Sequence, residues 1–241
     1  MRLAISFILL CIINTGLRAE TLTAAADPWP PYVGPQLAGQ GLAAQIVRAA
    51  LKREGFDLEI SFMPWARALR LTRNGATDLL VSAWWTQERS VYLHYSEPYA
   101  VNNLKFIKRK QDPFEFEGLH SLAGKRIGVV RDYGYGDAFG QADNFQQVEN
   151  SDFLHNIRML KAGRIDLTLE DELVATTILR QQAPEQQVDI AFSQQPLRTK
   201  SLHVASGRDN PRHQQIISAF NRGLTSLRAD GTLARLLEQQ H

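Results

Sequence analysis

Of the 241 residues only one is cysteine, Cys11, and it falls inside an apolar run near the start of the chain. A lone thiol closes no intrachain disulfide and builds no cysteine-ligated metal site. The six histidines, at positions 94, 120, 155, 203, 213 and 241, show no spacing suited to a shared metal ion. There is no G-x-S-x-G elbow, no phosphate-binding loop and no dinucleotide fingerprint, and Gly134-Tyr135-Gly136 is too short to be one. Metal, nucleotide and nucleophilic-serine chemistry therefore have no footing, and no cofactor is expected. Charge of one sign is equally scarce, with 27 Lys plus Arg against 25 Asp plus Glu. A nucleic-acid or membrane-surface partner has no basic footprint here.

Long apolar runs are missing too, with one short exception. Met1 to Ala19 places an Arg before an apolar run from Leu3 to Ile13 and ends Leu17-Arg18-Ala19. That is the order of a secretory signal peptide, too short to span a bilayer, and Cys11 is expected to leave with it. Cleavage after Ala19 removes Arg2 and Arg18 and leaves basic and acidic residues in balance. The mature chain is expected to be exported, soluble and formally neutral, with about 222 residues, enough for one large domain or two modest ones.

What the chain does have is an internal repeat. Trp65 to Val81 (WARALRLTRNGATDLLV) and Phe153 to Leu169 (FLHNIRMLKAGRIDLTL) lie 88 residues apart. Without a gap, Arg70, Gly75, Asp78 and Leu79 fall on Arg158, Gly163, Asp166 and Leu167. Each unit reads as an amphipathic helix closed by Gly and followed by a short buried parallel strand. A single repeat at so long a period implies two similar α/β lobes, not a solenoid.

The rest of the chain supports that order. In the first half, Leu22 to Ala26 and Leu58 to Phe62 read as strands around a helix that runs from Gly41 to Gly55. Thr86 is placed to cap a helix start before Arg89. In the second half, Arg126 to Val130 and Gln147 to Glu149 read as strands around a Gly-rich loop, Asp132 to Gly136, and a short helix. Leu104 to Lys108 and Leu202 to Ala205 read as strands leading out of one lobe and back, which makes a hinge. Two closing helices, Pro211 to Leu227 and Thr232 to Gln239, are expected to return to the first lobe. The expected architecture is α/β and two-lobed, each lobe a mainly parallel sheet flanked by helices. Lobe 1 takes residues 20–102 and 198–241, and lobe 2 takes 103–197.

Ligands of open parallel sheets bind outside the carboxyl ends of the strands. That rule selects the loops Asp27 to Tyr32, Ser82 to Arg89, Asp132 to Gly136 and Glu170 to Glu172. Their contents suit a small zwitterion. Arg89, on a first helical turn, offers a planar donor fork to a carboxylate, and Asp171 offers an acceptor to an ammonium. Trp29, Trp65, Trp84, Trp85, Tyr133 and Tyr135 supply flat walls. Plainer roles compete. Arg89 can pair with Glu88 or Glu97 at the surface, Asp171 can cap the following helix, and Glu170 can face the cleft or the core edge. In an extended segment Trp84 and Trp85 point opposite ways, and Trp84 is taken as the inward one. Asp78 and Asp166 sit at strand bases and read as structural.

The loop A-A-D-P-W-P-P-Y, the run S-A-W-W-T-Q-E-R with Y-S-E-P-Y, the segment G-R-I-D-L-T-L-E-D and the ending R-A-D-G-T resemble the bacterial periplasmic solute-binding proteins of family 3, the polar amino-acid type. The resemblance covers essentially the whole mature chain. It implies a periplasmic, non-enzymatic receptor, a monomer, that closes on a small amino acid or similar solute and delivers it to the membrane permease of an ABC importer. By that resemblance Arg89 holds the α-carboxylate and Asp171 the α-amino group, Trp29 and Trp65 are aromatic contacts, and Ser82 and Trp84 give backbone contacts. The second-lobe anion site falls on Tyr133 and Gly134, where many members carry Gly-Thr or Thr-Thr. An enzyme of the cyclohexadienyl dehydratase kind, using Glu170, Asp171 or Glu172, and a sensory module serving a membrane receptor share the same pattern.

Overall fold

A computed structural model describes residues 19–184 and 188–238. The proposed signal segment lies outside the described residues apart from Ala19, as does the expected helix end at Gln239. The repeat units appear as expected: α2 (Trp65–Arg73) leads to β3 (Leu79–Trp84), and α5 (Phe153–Lys161) to β8 (Leu167–Asp171). Both helices end where a glycine takes a left-handed conformation, Gly75 at φ 70° and Gly163 at φ 67°, which a side chain with Cβ resists.

Strands β1 (Glu20–Ala26) and β2 (Phe56–Phe62) join β3 in one half, and β6 (Arg126–Val130) and β7 (Gln146–Asn150) join β8 in the other. In each half the first strand is central and parallel to both neighbours: β1 pairs with β2 and β3, and β6 pairs with β7 and β8. Asp78 and Asp166 do the same job at the two bases. Asp78 Oδ2 accepts the Thr23 N–H at 2.8 Å while its own N–H donates to the Thr23 carbonyl at 2.9 Å. Asp166 Oδ2 accepts the Arg126 N–H at 2.8 Å, and its N–H donates to the Arg126 carbonyl at 2.7 Å. The repeated carboxylates tie each unit to its central strand, at the middle of β1 and at the start of β6.

The crossing strands are longer than their apolar cores suggest. β5 spans Ala100–Arg109 and β9 Ile190–Gly207. Their extensions contain Asn102, Asn103, Gln194, Gln195, Arg198 and Thr199, which carry no apolar alternation. What holds them extended is antiparallel pairing with each other, from Ala100 opposite Leu202 to Arg109 opposite Ile190. β9 also pairs antiparallel with β3, and β5 with β8. The two half-sheets are thereby joined in one curled path, β2-β1-β3-β9-β5-β8-β6-β7, with the short β4 (Leu93–Tyr95) added on β9. β4 is three residues long, below the length at which alternation is legible.

Helix α1 (Leu42–Arg53) buries Leu42, Ile46, Val47, Ala50 and Leu51, the face that their spacing defines. Against it lies α7 (His213–Ala229), which returns the chain to the first half as expected, followed by α8 (Thr232–Glu238). The approach is close: a Cβ on Gly223 would come within 2.0 Å of the Ala50 carbonyl oxygen. α7 starts two residues later than Pro211 because the Asn210 side chain accepts the Arg212 N–H at 2.9 Å and holds that corner as a turn. Helices α3 (Gln87–Ser90) and α4 (Asp137–Gly140) each provide one turn beside the cleft, and α6 (Glu172–Gln182) follows β8.

Candidate functional site

The carboxyl ends of β1, β3, β6 and β8 converge between the halves. A cavity of about 40 Å³ lies there, lined by Asp27, Trp29, Trp65, Ser82, Trp84, Arg89, Tyr133, Gly134 and Leu202. Seven of the eight residues singled out as ligand contacts fall on it. The eighth, Asp171, does not line it.

Arg89 is placed by a local device. The Thr86 hydroxyl accepts the Arg89 backbone N–H at 3.1 Å, capping α3 and fixing the side chain's departure point. Arg89 is only 5% exposed, and its partners are carbonyls instead of Glu88 or Glu97. One arm donates to the Trp84 carbonyl at 3.4 Å, the other to the Asp132 carbonyl from the opposite half. The guanidinium carbon also stands 5.1 Å over the Trp65 ring. Asp132 takes a φ of 59°, a left-handed turn that Asp tolerates better than most residues. Its carbonyl accepts from the Trp65 indole as well, at 2.7 Å. A backbone oxygen of the other half thus occupies the donor fork.

The aromatic residues form mutually perpendicular walls. Trp29 meets Trp84 at 81°, Trp84 meets Tyr133 at 83°, and Trp65 meets Tyr133 at 84°, with centroids 5.5 to 6.1 Å apart. All three indole N–H groups are engaged by the protein: Trp29 with Glu170 Oε1 at 3.1 Å, Trp65 with Asp132, and Trp84 with Asn102 Oδ1 at 2.9 Å. The cavity therefore meets rings, not indole donors. Trp84 is buried and Trp85 44% exposed, so the alternation argument selects the inward tryptophan.

The second half contributes Tyr133, whose hydroxyl donates to Asp27 Oδ2 at 3.0 Å, and Gly134, whose carbonyl accepts from Lys200 at 2.5 Å. A Cβ on Gly134 would meet Thr86 Cγ2 at 2.8 Å and Arg89 Nη1 at 3.0 Å, so glycine permits the halves to approach. Lys200 and Asp27 were not among the expected ligand contacts. Burial lowers Lys200 to about 8 and raises Asp27 to about 6.

Asp171 caps α6. Its Oδ1 accepts the Val174 N–H at 3.0 Å and its Oδ2 the Asn103 N–H at 3.0 Å, and burial raises its pKa. Glu170 faces the other half. It is fully buried, accepts from Trp29 and from the Asp171 N–H at 2.9 Å, and is pushed up to about 8 by burial. Its Oε2 has no hydrogen-bond partner among the described residues.

Two α/β lobes joined by a pair of adjacent strands, with a cleft of aromatic walls and a buried arginine between them, define a class of two-lobed binding proteins. Residues 22–240 match the model of the bacterial extracellular solute-binding proteins, family 3, and the chain belongs to that family. The L-cystine-binding protein TcyJ of Escherichia coli K12 is 23% identical over 92% of this chain and 82% of its own length. The membrane-bound lytic murein transglycosylase F of Pseudomonas putida KT2440 is 26% identical over 65% of this chain, which spans only 32% of that protein. Among solved structures, the amino acid ABC transporter substrate-binding protein AbpA of Streptococcus pneumoniae, bound to L-arginine, superposes with a TM-score of 0.74 at 23% identity, covering 91% of this chain and 94% of that one. Among the described residues no helix is long and apolar enough to cross a membrane.

Proposed function

We propose that this chain is an exported, non-enzymatic receptor that closes on an amino acid or related polar solute and presents it to the permease of an ABC importer. The observation that carries the reading is Arg89, buried at the interlobe cavity with its donor fork resting on a carbonyl of the opposite lobe. A ligand carboxylate that replaces the Asp132 carbonyl gains a charge-assisted, two-pronged contact. Trp29, Trp65, Trp84 and Tyr133 then enclose the remainder, Ser82 and Gly134 flank it, and Asp171 stands at the second-lobe strand end for an ammonium. At about 40 Å³ the cleft holds a few waters and no amino acid, so entry requires the lobes to part and the Tyr133 loop to withdraw.

The hinge falls where β5 and β9 pass side by side, Asn102 opposite Lys200 and Asn103 opposite Thr199. The β5–β9 register shifts between Leu104 and Ile107. On this reading residues 20–102 with 198–241 make one lobe and 103–197 the other, a division that the pairing supports. Family membership and the cystine- and arginine-binding relatives support the amino-acid class, and the family's extracellular description supports a periplasmic site of action.

Ligand that binds only the folded protein raises stability by RT ln(1 + [L]/Kd), about 2.7 kcal/mol at a hundredfold excess. A thermal-shift screen of amino acids, polyamines and small organic acids is expected to give at least one large upward shift. A flat response across all three classes at millimolar concentration would remove the receptor reading.

A further inference from the structure

Two lysines are buried among the described residues, and their surroundings differ. Lys108 meets a carboxylate, that of Glu115, at 2.7 Å. Lys200 is as deeply buried, at 7% exposed, yet finds only carbonyls, those of Trp85 and Gly134. An ammonium carries three donors, so one N–H of Lys200 is left uncommitted among the described residues. Two arginines crowd the same place. Lys200 donates to the Gly134 carbonyl, a Cβ on Gly134 would press on Arg89, and a Cβ on Gly136 would collide with the Arg198 guanidinium. Three cations thus surround one short loop, and none of them belongs to an ion pair among the described residues.

Beside them opens a second pocket, of about 350 Å³, which shares no lining residue with the 40 Å³ cavity. Arg198, Lys200, Ser201, Trp85 and Asp137 are on its wall, and Asp137 is the single acid there. Like charges held this close are costly unless a negative group completes them. Trp85, 44% exposed, adds a flat apolar face. We propose that this pocket binds a small oxyanion, a carboxylate or a phosphate, gripped by the Arg198 fork and the uncommitted Lys200 N–H. The site is separate from the cleft and does not depend on the proposed amino-acid receptor. Trp85 and Asp137 lie on opposite halves, so an occupant bridges them and favours their closed arrangement. The charged and titratable groups facing Lys200 are Arg198 and His203 on β9, Arg89 on α3 and Asp137 on α4. Burial first, then Arg198 and Arg89, bring Lys200 down to about 8. A bound anion favours the ammonium, so affinity falls as pH rises past that value.

The test is calorimetry on the mature chain with sodium succinate and sodium phosphate, against sodium chloride at matched ionic strength. At least one oxyanion is expected to bind at one site per chain while chloride gives no signal, and the tighter of the two names the source. Succinate affinity is expected to drop about tenfold from pH 7 to pH 9, with proton uptake at pH 8.5. Arg198→Ala and Lys200→Met are expected to weaken binding at least about tenfold, and Arg164→Ala, at an exposed cation outside the pocket, less than about twofold. Should Lys200→Met fail to fold, Arg198→Ala, at an exposed side chain, decides alone. No binding of either oxyanion at millimolar concentration overturns the site. So does an equal response to chloride, or an equal loss in Arg164→Ala, since both are marks of unspecific screening. Loss in Arg89→Ala with affinity kept in Arg198→Ala puts the anion in the cleft, which overturns the pocket and leaves the receptor reading standing. Oxyanion binding that survives Arg89→Ala while an amino-acid response is lost supports both sites as separate.

Discussion

The two repeat units share their bases and differ at their tips. Asp78 and Asp166 make the same pair of backbone hydrogen bonds to Thr23 and Arg126, so the repeated carboxylates belong to the scaffold. At the carboxyl ends the same offset sets Ser82 and Ala83 against Glu170 and Asp171. The first unit runs on to Arg89 and a basic pole; the second ends in two buried acids. A duplicated scaffold has thus brought opposite chemistries to two equivalent strand ends that meet across one cleft. Charge separation across the cleft, more than the total charge of the chain, is what the proposed dipolar ligand would meet.

The sharpest way to break this contrast is to remove the basic pole. Arg89→Ala is expected to weaken ligand binding by about 2–5 kcal/mol, roughly 30-fold or more, the usual cost of truncating one member of a buried charge pair. Calorimetry against the ligand found by thermal shift checks it, and unchanged affinity takes Arg89 out of the site.

The acidic pole has its own signature in stability. Burial holds Glu170 near 8 in the folded protein, whereas an unfolded chain ionises it from about 4.3. The folded state therefore grips the proton more tightly, and stability falls as pH rises from about 4.3 to about 8, then levels off. Asp27, raised to about 6, adds to the fall below that pH. Urea midpoints are expected to decline across this window by an amount worth a few kcal/mol, and Glu170→Gln should remove the part above about pH 6. A slope that persists in the variant assigns it to another group.

If the bases are equivalent, they should fail alike. Asp78→Ala and Asp166→Ala are each expected to cost about 1–3 kcal/mol in denaturant unfolding, since each removes an acceptor from a central-strand N–H. A large effect at one site and none at the other would show that the repeat has diverged in its scaffold too.

The bases were the legible part of the chain. Gly75 with Gly163 and Asp78 with Asp166 recur because backbone geometry demands them, and such demands are local. The Thr86 cap before Arg89 was legible for the same reason. The polar lengths of β5 and β9 were not, because only their mutual pairing makes them strands. Asp171 was read with two possible roles, and its oxygens are engaged by the Val174 and Asn103 N–H groups. Nothing local could reveal that the Asp132 carbonyl would occupy Arg89 or that Lys200 would reach Gly134. These contacts join residues 43 and 66 positions apart across the cleft, and they depend on how the lobes meet.

That self-contact supplies the smallest and most informative test of the comparison. Trp65 donates to the same Asp132 carbonyl that rests on Arg89, so it helps hold the second-lobe loop where the ligand carboxylate is proposed to sit. Trp65→Phe keeps a ring beneath the guanidinium but deletes the donor, weakening the protein's internal substitute by about 1 kcal/mol. The competent fraction of Arg89 rises, and apparent affinity rises with it, because a ligand no longer displaces so firm a competitor. About a fivefold gain in affinity is expected by calorimetry. A comparable loss would mean that the Asp132 carbonyl stays in place beside the bound ligand, so that the basic pole is shared between lobes instead of belonging to the first unit alone.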